Sequence, residues 1–297
     1  MKIKKPPKLR KGVMLAYEYT EKRLLKYPKP WILQPKLEGD RCRAAFDPEL
    51  GWNLFSSSST PRKMVPHINE ELNKNPLYRD FGDADGETDG EFYVHGMRHE
   101  DIRSIVSPTV NKHPDSGRME YHIFDFVSEL PQFERYMMLK ALNETETIKR
   151  VDTILCNTIE EIQAYYEGCL DLGYEGIIIR DPSKPYIRSA PAHSTYLMKL
   201  KPRNELVAIV IGVYEEIDIH GIAKNCLGGC VCMGKNDKGE PFEFNVGSGF
   251  LKQQREDYWK DKDKIVGKMI EVTYQSFTET TIKMQSFKRI VGDYSYD

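Results

Sequence analysis

The 297-residue chain lacks the features that mark membrane and secreted proteins. It has no apolar run near the roughly 18 residues of a membrane-spanning helix, and no apolar N-terminal segment of the signal-peptide type. Its six cysteines include no C-x₂-C pair, so the cluster of Cys226, Cys230 and Cys232 near His220 does not favour a zinc site. Without a secretory signal the cysteines are expected to be free thiols. We therefore expect a cytoplasmic protein without membrane contact.

Acidic residues are scarce at the start of the chain. Residues 1–36 contain eleven Lys or Arg and two acidic residues, about +9, although the whole chain carries a net charge of −2. A basic arm at residues 1–12 ahead of an acidic remainder predicts contact with a polyanion, and a merely solvating tail is the alternative. The length permits two domains, and 40% hydrophobic with 30% charged residues is typical of a globular protein.

A lysine at the end of a short apolar run is the first candidate for chemistry. Lys36 follows Trp31–Pro35, which predicts a strand, and Gly39 permits a turn directly after it. A free lysine amine has a pKa near ~10.4, so only about one in a thousand is neutral near pH 7.4. A nearby cation such as Arg41 favours the neutral, nucleophilic form. The alternative is a solvated lysine in a charged turn.

Carboxylates follow in two later segments. Asp-Gly-Glu occurs at 85–87 and again at 89–91, and only the second copy opens an apolar strand, so Glu91 is the expected ligand-facing residue. Glu175 starts a buried strand that ends with Arg180, directly after a helix predicted by the capping box at Thr158. Each carboxylate could instead be a strand-edge residue paired with a surface lysine.

An aromatic residue and two lysines complete the pattern in this half of the chain. Phe124 lies in a predicted buried strand, where core packing alone could explain it. Lys199 and Lys201 alternate along one strand, so both should project from one face. Two lysines on one face repel each other unless an anion lies between them, and a phosphate group is the natural candidate. Edge-strand charges that block aggregation are the alternative.

The character of the chain changes near Pro202–Glu205, which predicts a linker. Beyond it the pattern is five β-strands and one helix, which fits a small all-β barrel of the oligonucleotide-binding (OB) type. The expected fold class is therefore α+β: a domain over residues 1–202 with antiparallel sheets, flanking helices and the basic arm, followed by an OB-fold domain over 203–297.

The motifs occur in a familiar order. They are Lys36-Leu37-Glu38-Gly39-Asp40-Arg41, Asp89-Gly90-Glu91, Phe124-Asp125, Glu175-Gly176 and Lys199-Leu200-Lys201. In this order, and with barrel segments at Cys226–Val231, Val246–Phe250 and Ile265–Tyr274, the chain resembles an ATP-dependent DNA ligase of the minimal type found in bacterial viruses. The resemblance covers residues 31–294 and implies a nucleotidyltransferase domain with an ATP-grasp-like ligase fold.

The resemblance also implies roles for individual residues. Lys36 would attack the α-phosphorus of ATP and carry AMP. Arg41, Lys199 and Lys201 would neutralise the α-phosphate, Glu91 would accept a hydrogen bond from the ribose, and Phe124 would stack on the adenine. Glu175 would help to hold Mg²⁺, with Mn²⁺ as a possible substitute. AMP would then pass to the 5′-phosphate of nicked double-stranded DNA, and the 3′-hydroxyl would seal the strand, as in replication, repair and recombination, by a monomeric enzyme.

Three departures from the family pattern concern DNA and pyrophosphate contacts. Glu38 replaces the usual aspartate of the lysine motif. Ser57 stands where the family commonly has an arginine after Ser56, so Arg43 or Arg62 would have to supply the cation for the nick phosphate. Val291–Tyr294 replaces the usual Arg-x-Asp-Lys run that orients pyrophosphate during the first step, so Lys288 or Arg289 would have to serve there, and Arg289 is also a candidate contact to the nick.

Other functions share parts of this pattern. An mRNA-capping guanylyltransferase has both domains but forms lysyl-GMP, and an RNA ligase usually lacks the barrel. A NAD⁺-dependent ligase is disfavoured because only 35 residues precede Lys36. A non-enzymatic OB-fold nucleic-acid-binding protein would use the barrel and basic arm alone, but it leaves the ordered lysine and carboxylate motifs unexplained. For a ligase we expect a hinge near Pro202.

Overall fold

The chain divides into two compact units, Met1–Lys201 and Pro202–Asp297. The computed structural model describes residues 12–74, 86–188, 194–275, 277, 281–282 and 285–293. Most of the predicted basic arm, residues 1–11, and Asp85 of the first Asp-Gly-Glu copy therefore lie outside the described residues. No helix among the described residues is both long enough and apolar enough to cross a membrane.

One five-stranded sheet of the first unit carries the lysine. In spatial order its strands are β1 (Ala16–Glu18), β10 (Ser194–Leu200), β9 (Gly176–Arg180), β2 (Trp31–Lys36) and β8 (Ile154–Cys156). Among the described strands of this sheet, β1 and β10 pair in parallel and the other neighbours pair antiparallel. Lys36, the last residue of β2, lies opposite Gly176, the first residue of β9. This register makes Lys36 a neighbour of Glu175, whose backbone N–H donates to the Lys36 carbonyl at 3.0 Å.

A second five-stranded sheet carries the other predicted motifs. Its strands in spatial order are β4 (Gly51–Ser56), β3 (Asp40–Asp47), β5 (Glu87–Tyr93), β6 (Glu120–Phe126) and β7 (Ile148–Arg150). Arg41 on β3 lies opposite Glu91 on β5. Since β5 begins at Glu87, the last residue of the first Asp-Gly-Glu copy, the second copy lies within the strand and does not open it as expected. Cross-strand pairing with β3 extends the strand through the polar residues before the apolar run.

Helices cover the sheets and close two hydrophobic cores. They are α1 (Glu21–Leu24), α2 (Pro66–Lys74), α3 (His99–Val106), α4 (Gln132–Lys140) and α5 (Ile159–Asp171). The predicted capping box of α5 is confirmed: Thr158 Oγ1 accepts from the Glu161 N–H, and the Glu161 carboxylate accepts from the Thr158 N–H. One core packs Trp52, Phe92 and Tyr121 under the second sheet, and another packs Trp31, Ile177 and Met198 under the first.

The second unit is one curved antiparallel sheet with a helix. The strands, in the order β13 (Pro241–Val246), β12 (Ala223–Lys235), β11 (Asn204–Ile217), β14 (Lys268–Tyr274) and β15 (Ser286–Asp293), enclose an apolar core beside α6 (Lys252–Lys260). The two edges approach each other where the Phe287 N–H donates to the Ser248 carbonyl at 2.9 Å. Among the described strands this contact does not extend into a ladder, so the predicted OB-type domain is present with its sheet left open. Because β11 starts at Asn204, the predicted linker is shorter than Pro202–Glu205.

Candidate active site

A cavity of about 200 Å³ lies in the first unit and is lined from both of its sheets. Five of the predicted site residues line it: Lys36, Arg41, Glu91, Phe124 and Lys199. Much of the remaining wall is apolar, with Leu15 and Ala16 on one side and Ile178 and Leu197 among the others. A cavity lined by apolar residues, cations and one carboxylate suits a ligand that consists of a planar base and a charged phosphate chain.

Lys36 shares one carboxylate with a second lysine. Glu175 Oε2 contacts Lys36 Nζ, and Glu175 Oε1 lies 3.3 Å from Lys201 Nζ. Burial alone would raise the pKa of Glu175, but the two ammonium groups outweigh it and hold that pKa below its ordinary value. Gly176 permits this arrangement, because its φ is +141° and a Cβ there would collide with the Leu200 carbonyl oxygen.

Arg41 is held by a buried set of partners. Its Nε donates to Asp89 Oδ1 at 2.8 Å and its Nη2 to Asp89 Oδ2 at 2.5 Å, while Asp89 is fully buried. The Tyr186 hydroxyl donates to Asp89 at 2.5 Å and accepts from the Met14 N–H at 3.0 Å. Bidentate pairing of this kind fixes the plane of the guanidinium at the cavity wall. Tyr186 and Asp89 were not assigned roles from the sequence.

Glu91 has a different environment. Burial raises its pKa to about 7, with Asp89 and Glu175 adding to the effect, and Arg41 and Lys36 oppose it. Its carboxylate forms no hydrogen bond with any residue that the structure describes. A partly buried carboxylate on the cavity wall, with cations nearby but no bonded partner, is suited to accept a hydrogen bond from a ligand.

Two arginines lie close to the Phe124 ring. The Cζ atom of Arg41 is 4.8 Å from the ring centroid and that of Arg180 is 5.4 Å away. Gln34 holds both elements together, since its Nε2 donates to the Phe124 carbonyl at 2.9 Å and its Oε1 accepts from Arg180 Nε at 2.7 Å. Gln34 and Arg180 also line the cavity. The available sequence signals were Gln34 within one apolar run and Arg180 at the end of another.

The two lysines of the last motif have separate partners. Lys199 pairs with Glu18 at 3.1 Å, whereas Lys201 pairs with Glu175 and is absent from the cavity lining. Glu18 reaches Lys199 because β1 lies in register beside β10. The two lysines thus have different carboxylate partners, and of the two only Lys199 lines the cavity, while a phosphate between them stays a prediction.

The three arginines predicted to contact a nick differ in how far they are buried and in their partners. Arg43 is fully buried, with Glu87 at 3.0 Å and the Ser59 hydroxyl at 2.7 Å, so its position does not fit direct contact with a nick phosphate. Arg62 pairs with Asp40 at 2.7 Å and is 11% exposed. Arg289, in the second unit, is 67% exposed and pairs with Glu271 at 2.6 Å.

Both units match known protein families. Residues 13–201 match the ATP dependent DNA ligase domain, and residues 220–290 match a DNA ligase OB-like domain. The DNA ligase of Haemophilus influenzae is 26% identical over 196 residues, which cover 65% of this chain and 66% of that protein. The DNA ligase of Archaeoglobus fulgidus is 32% identical over 102 residues, covering 32% of this chain and 18% of that protein. The chain thus spans only part of the length of these curated relatives.

A solved Lig E DNA ligase shares the fold. It has a TM-score of 0.70 and 18% identity, and the match covers 95% of this chain and 100% of the other. This likeness concerns the path of the chain through both units. Because the model of the ligase domain covers most of the sequence, from residue 13 to residue 201, the chain belongs to the ATP-dependent DNA ligase family.

Proposed function

We propose that the protein seals 5′-phosphate/3′-hydroxyl nicks in double-stranded DNA, with ATP as the adenylate donor. The observation that carries this proposal is the position of Lys36 at a cavity with an aromatic wall and three further cations, Arg41, Arg180 and Lys199. Adenylation is assigned to residues 1–202 and the OB-fold role in DNA binding to residues 203–297. The enzyme is expected to act as a monomer in the cytoplasm.

The first step forms a covalent adenylate on the protein. The neutral amine of Lys36 attacks the α-phosphorus of ATP, a P–N bond forms, and the bond to the β-phosphate oxygen breaks. Pyrophosphate leaves and the amine loses a proton. Arg41 and Lys199 at the cavity wall, and Lys201 behind Glu175, stabilise the negative charge that builds on the phosphate. Phe124 supports the adenine ring, and Glu91 accepts a hydrogen bond from the ribose.

The carboxylate of Glu175 fits a role in holding a divalent cation. Mg²⁺ commonly takes one or two protein carboxylates and completes its shell with phosphate oxygens and water, so a single carboxylate beside the cavity suffices. When bound there, the cation would polarise the phosphate oxygens of ATP. Lys36 and Lys201 share the same carboxylate, so they would rearrange as the cation enters.

The later steps pass AMP to DNA and then release it. The 5′-phosphate of the nick attacks the lysyl-adenylate, the P–N bond breaks, and Lys36 is regenerated. The 3′-hydroxyl then attacks the 5′-phosphorus and expels AMP as the strand closes. Binding to duplex DNA through phosphates should weaken steeply as salt rises.

Lys36→Ala tests the nucleophile. We expect the variant to take no label from α-labelled ATP with Mg²⁺, because the amine is gone, yet to bind nicked duplex. Lys29→Ala is the matched control, since Lys29 lies over the Trp31 ring at 4.9 Å and does not line the cavity. Normal labelling of Lys36→Ala would refute the assignment. Label from GTP alone would favour a capping enzyme, and no label on wild-type protein would favour a nucleic-acid-binding module.

A further inference from the structure

The turn after the lysine is held at its last residue, Gly39, by a histidine from a helix far along the chain. His99, the first residue of α3, places Nδ1 3.0 Å from the carbonyl oxygen of Gly39. A carbonyl oxygen can only accept, so Nδ1 must carry the proton in this contact. The bond joins residues that are 60 positions apart in the chain.

The ends of this turn are already fixed by the sheets. The Lys36 carbonyl accepts from the Glu175 N–H at 3.0 Å, and Asp40 pairs with Phe92 across β3 and β5. Between these points, residues 37–39 belong to no strand. The side chain of Leu37 is buried in the core of the second sheet, but the peptide groups of the turn need partners of their own.

Gly39 is packed so closely that a small displacement of its backbone would affect two predicted site residues, Lys36 and Glu91. A Cβ at this position would collide with the Phe92 carbonyl oxygen and come within 2.6 Å of Glu91 Cγ. The turn is therefore pressed against the strand that carries Glu91, and it follows Lys36 by only three residues. A shift of the Gly39 peptide would move the Lys36 backbone, the Glu91 side chain or both.

We propose that His99 is a positioning residue for adenylation: its Nδ1–H bond to Gly39 sets the turn that presents Lys36 beside Glu91. The proposal rests on the assignment of Lys36 as the nucleophile. His99 does not line the cavity, so it acts through the turn rather than on the substrate.

Asparagine and glutamine at position 99 distinguish the roles of the two ring nitrogens of His99. The amide nitrogen of asparagine can occupy the place of Nδ1, whereas that of glutamine reaches closer to the place of Nε2. In the full-length protein, His99→Asn should form lysyl-AMP within about twofold of wild type in a single turnover. His99→Gln and His99→Ala should be slower by about threefold to tenfold, the effect of losing one ordinary hydrogen bond. Sealing of a pre-adenylated nick, which bypasses attack by Lys36, should change less than twofold in all three.

Two further measurements keep the outcome decisive. His67→Ala is the control, because His67 Nε2 contacts the Met119 carbonyl at 2.9 Å away from the cavity, and it should label at the wild-type rate. Hydrogen exchange of the segment 36–41 should quicken in His99→Gln and His99→Ala but not in His99→Asn, whether or not the protein is active. Equal labelling rates in the asparagine and glutamine variants, or unchanged exchange in all variants, would overturn the proposal. Absence of label on wild-type protein would instead refute the proposed function.

Discussion

Asp125 and Glu91 lie on neighbouring strands of one sheet, yet the pKa of Asp125 is lowered and that of Glu91 is raised. Asp125 is 1% exposed and accepts from Arg135 at 2.8 Å and from Arg180 at 2.8 Å. Burial would raise the pKa of Asp125, but the two arginines and the Gln132 amide hold it below its ordinary value. Glu91 has no such bonded partners among the described residues, and its pKa is raised to about 7.

The difference separates a carboxylate that holds the fold from one that can meet a ligand. Asp125 follows Phe124 in the same strand, and Arg180, which donates to Asp125, also lines the cavity. A satisfied buried network gives the cavity a rigid wall, whereas a carboxylate on that wall without a hydrogen-bonded partner among the described residues is suited to accept a hydrogen bond from a ligand. Two substitutions test this contrast directly, and a third tests the buried Asp89, which lies on the same strand as Glu91.

Asp125→Ala should have the largest effect. It leaves Arg135 and Arg180 buried without their shared partner, and breaking a buried pair in this way destabilises a protein by about 3–5 kcal/mol. Urea unfolding measures the loss. Glu134→Ala, which removes an exposed acid next to Arg135 in sequence, is the control and should leave the midpoint nearly unchanged. A wild-type midpoint for Asp125→Ala would show that the network does not hold the fold.

Glu91→Gln should change how stability depends on pH. Since the folded pKa of Glu91 is about 7 and its ordinary value is 4.5, the folded protein keeps this proton when the unfolded chain has lost it. Wild-type stability should therefore fall, relative to Glu91→Gln, as pH rises from 4.5 to about 7, by about 2 kcal/mol after allowance for water in the cavity.

The readout is the difference between the two unfolding free energies at each pH. A flat difference across this range would contradict the assignment of a raised pKa to Glu91. Asp125 has the opposite sign: because its folded pKa is lowered, its contribution is present above its ordinary value of 3.8 and is lost as pH falls below it.

Tyr186→Phe should have the smallest effect on stability, about 1–2 kcal/mol, because the ring stays packed and only the hydroxyl is lost. Asp89 and the Met14 N–H each lose a partner, so Arg41 should be held less firmly. We expect lysyl-AMP formation to slow by about tenfold. Tyr27→Phe is the matched control, since it removes a hydroxyl bond of 2.7 Å to the Thr195 carbonyl outside the cavity. Equal labelling rates in the two variants would argue against a role for Tyr186 in orienting Arg41.

The sequence predicted those parts of the molecule that depend on local pattern. Alternation and turn residues predicted the strands on either side of Lys36, and the capping box marked the start of α5. The motif order indicated which charged residues would gather, and the contact of Lys36 with Glu175 follows from the pairing of β2 with β9.

Partners far apart in sequence could not be predicted in this way. Nothing near Asp89 points to Tyr186, 97 residues away, and nothing near Asp125 points to Arg180, 55 residues away. The different partners of Lys199 and Lys201 were missed because alternation predicts the face of the strand from which a side chain projects, but not which carboxylates lie near that face. Burial of Arg43 was missed for the same reason, since Glu87 lies on the adjoining strand.

Glu175 bridges two ammonium groups, and this has a thermodynamic consequence. With the roles proposed above, a cation that took over the Glu175 oxygens would displace Lys36 and Lys201 from them, and a polyphosphate that attracted those lysines would free the carboxylate for a cation. The apparent affinities for nucleotide and for a divalent ion would then strengthen one another by the same factor, as reciprocity between linked equilibria requires.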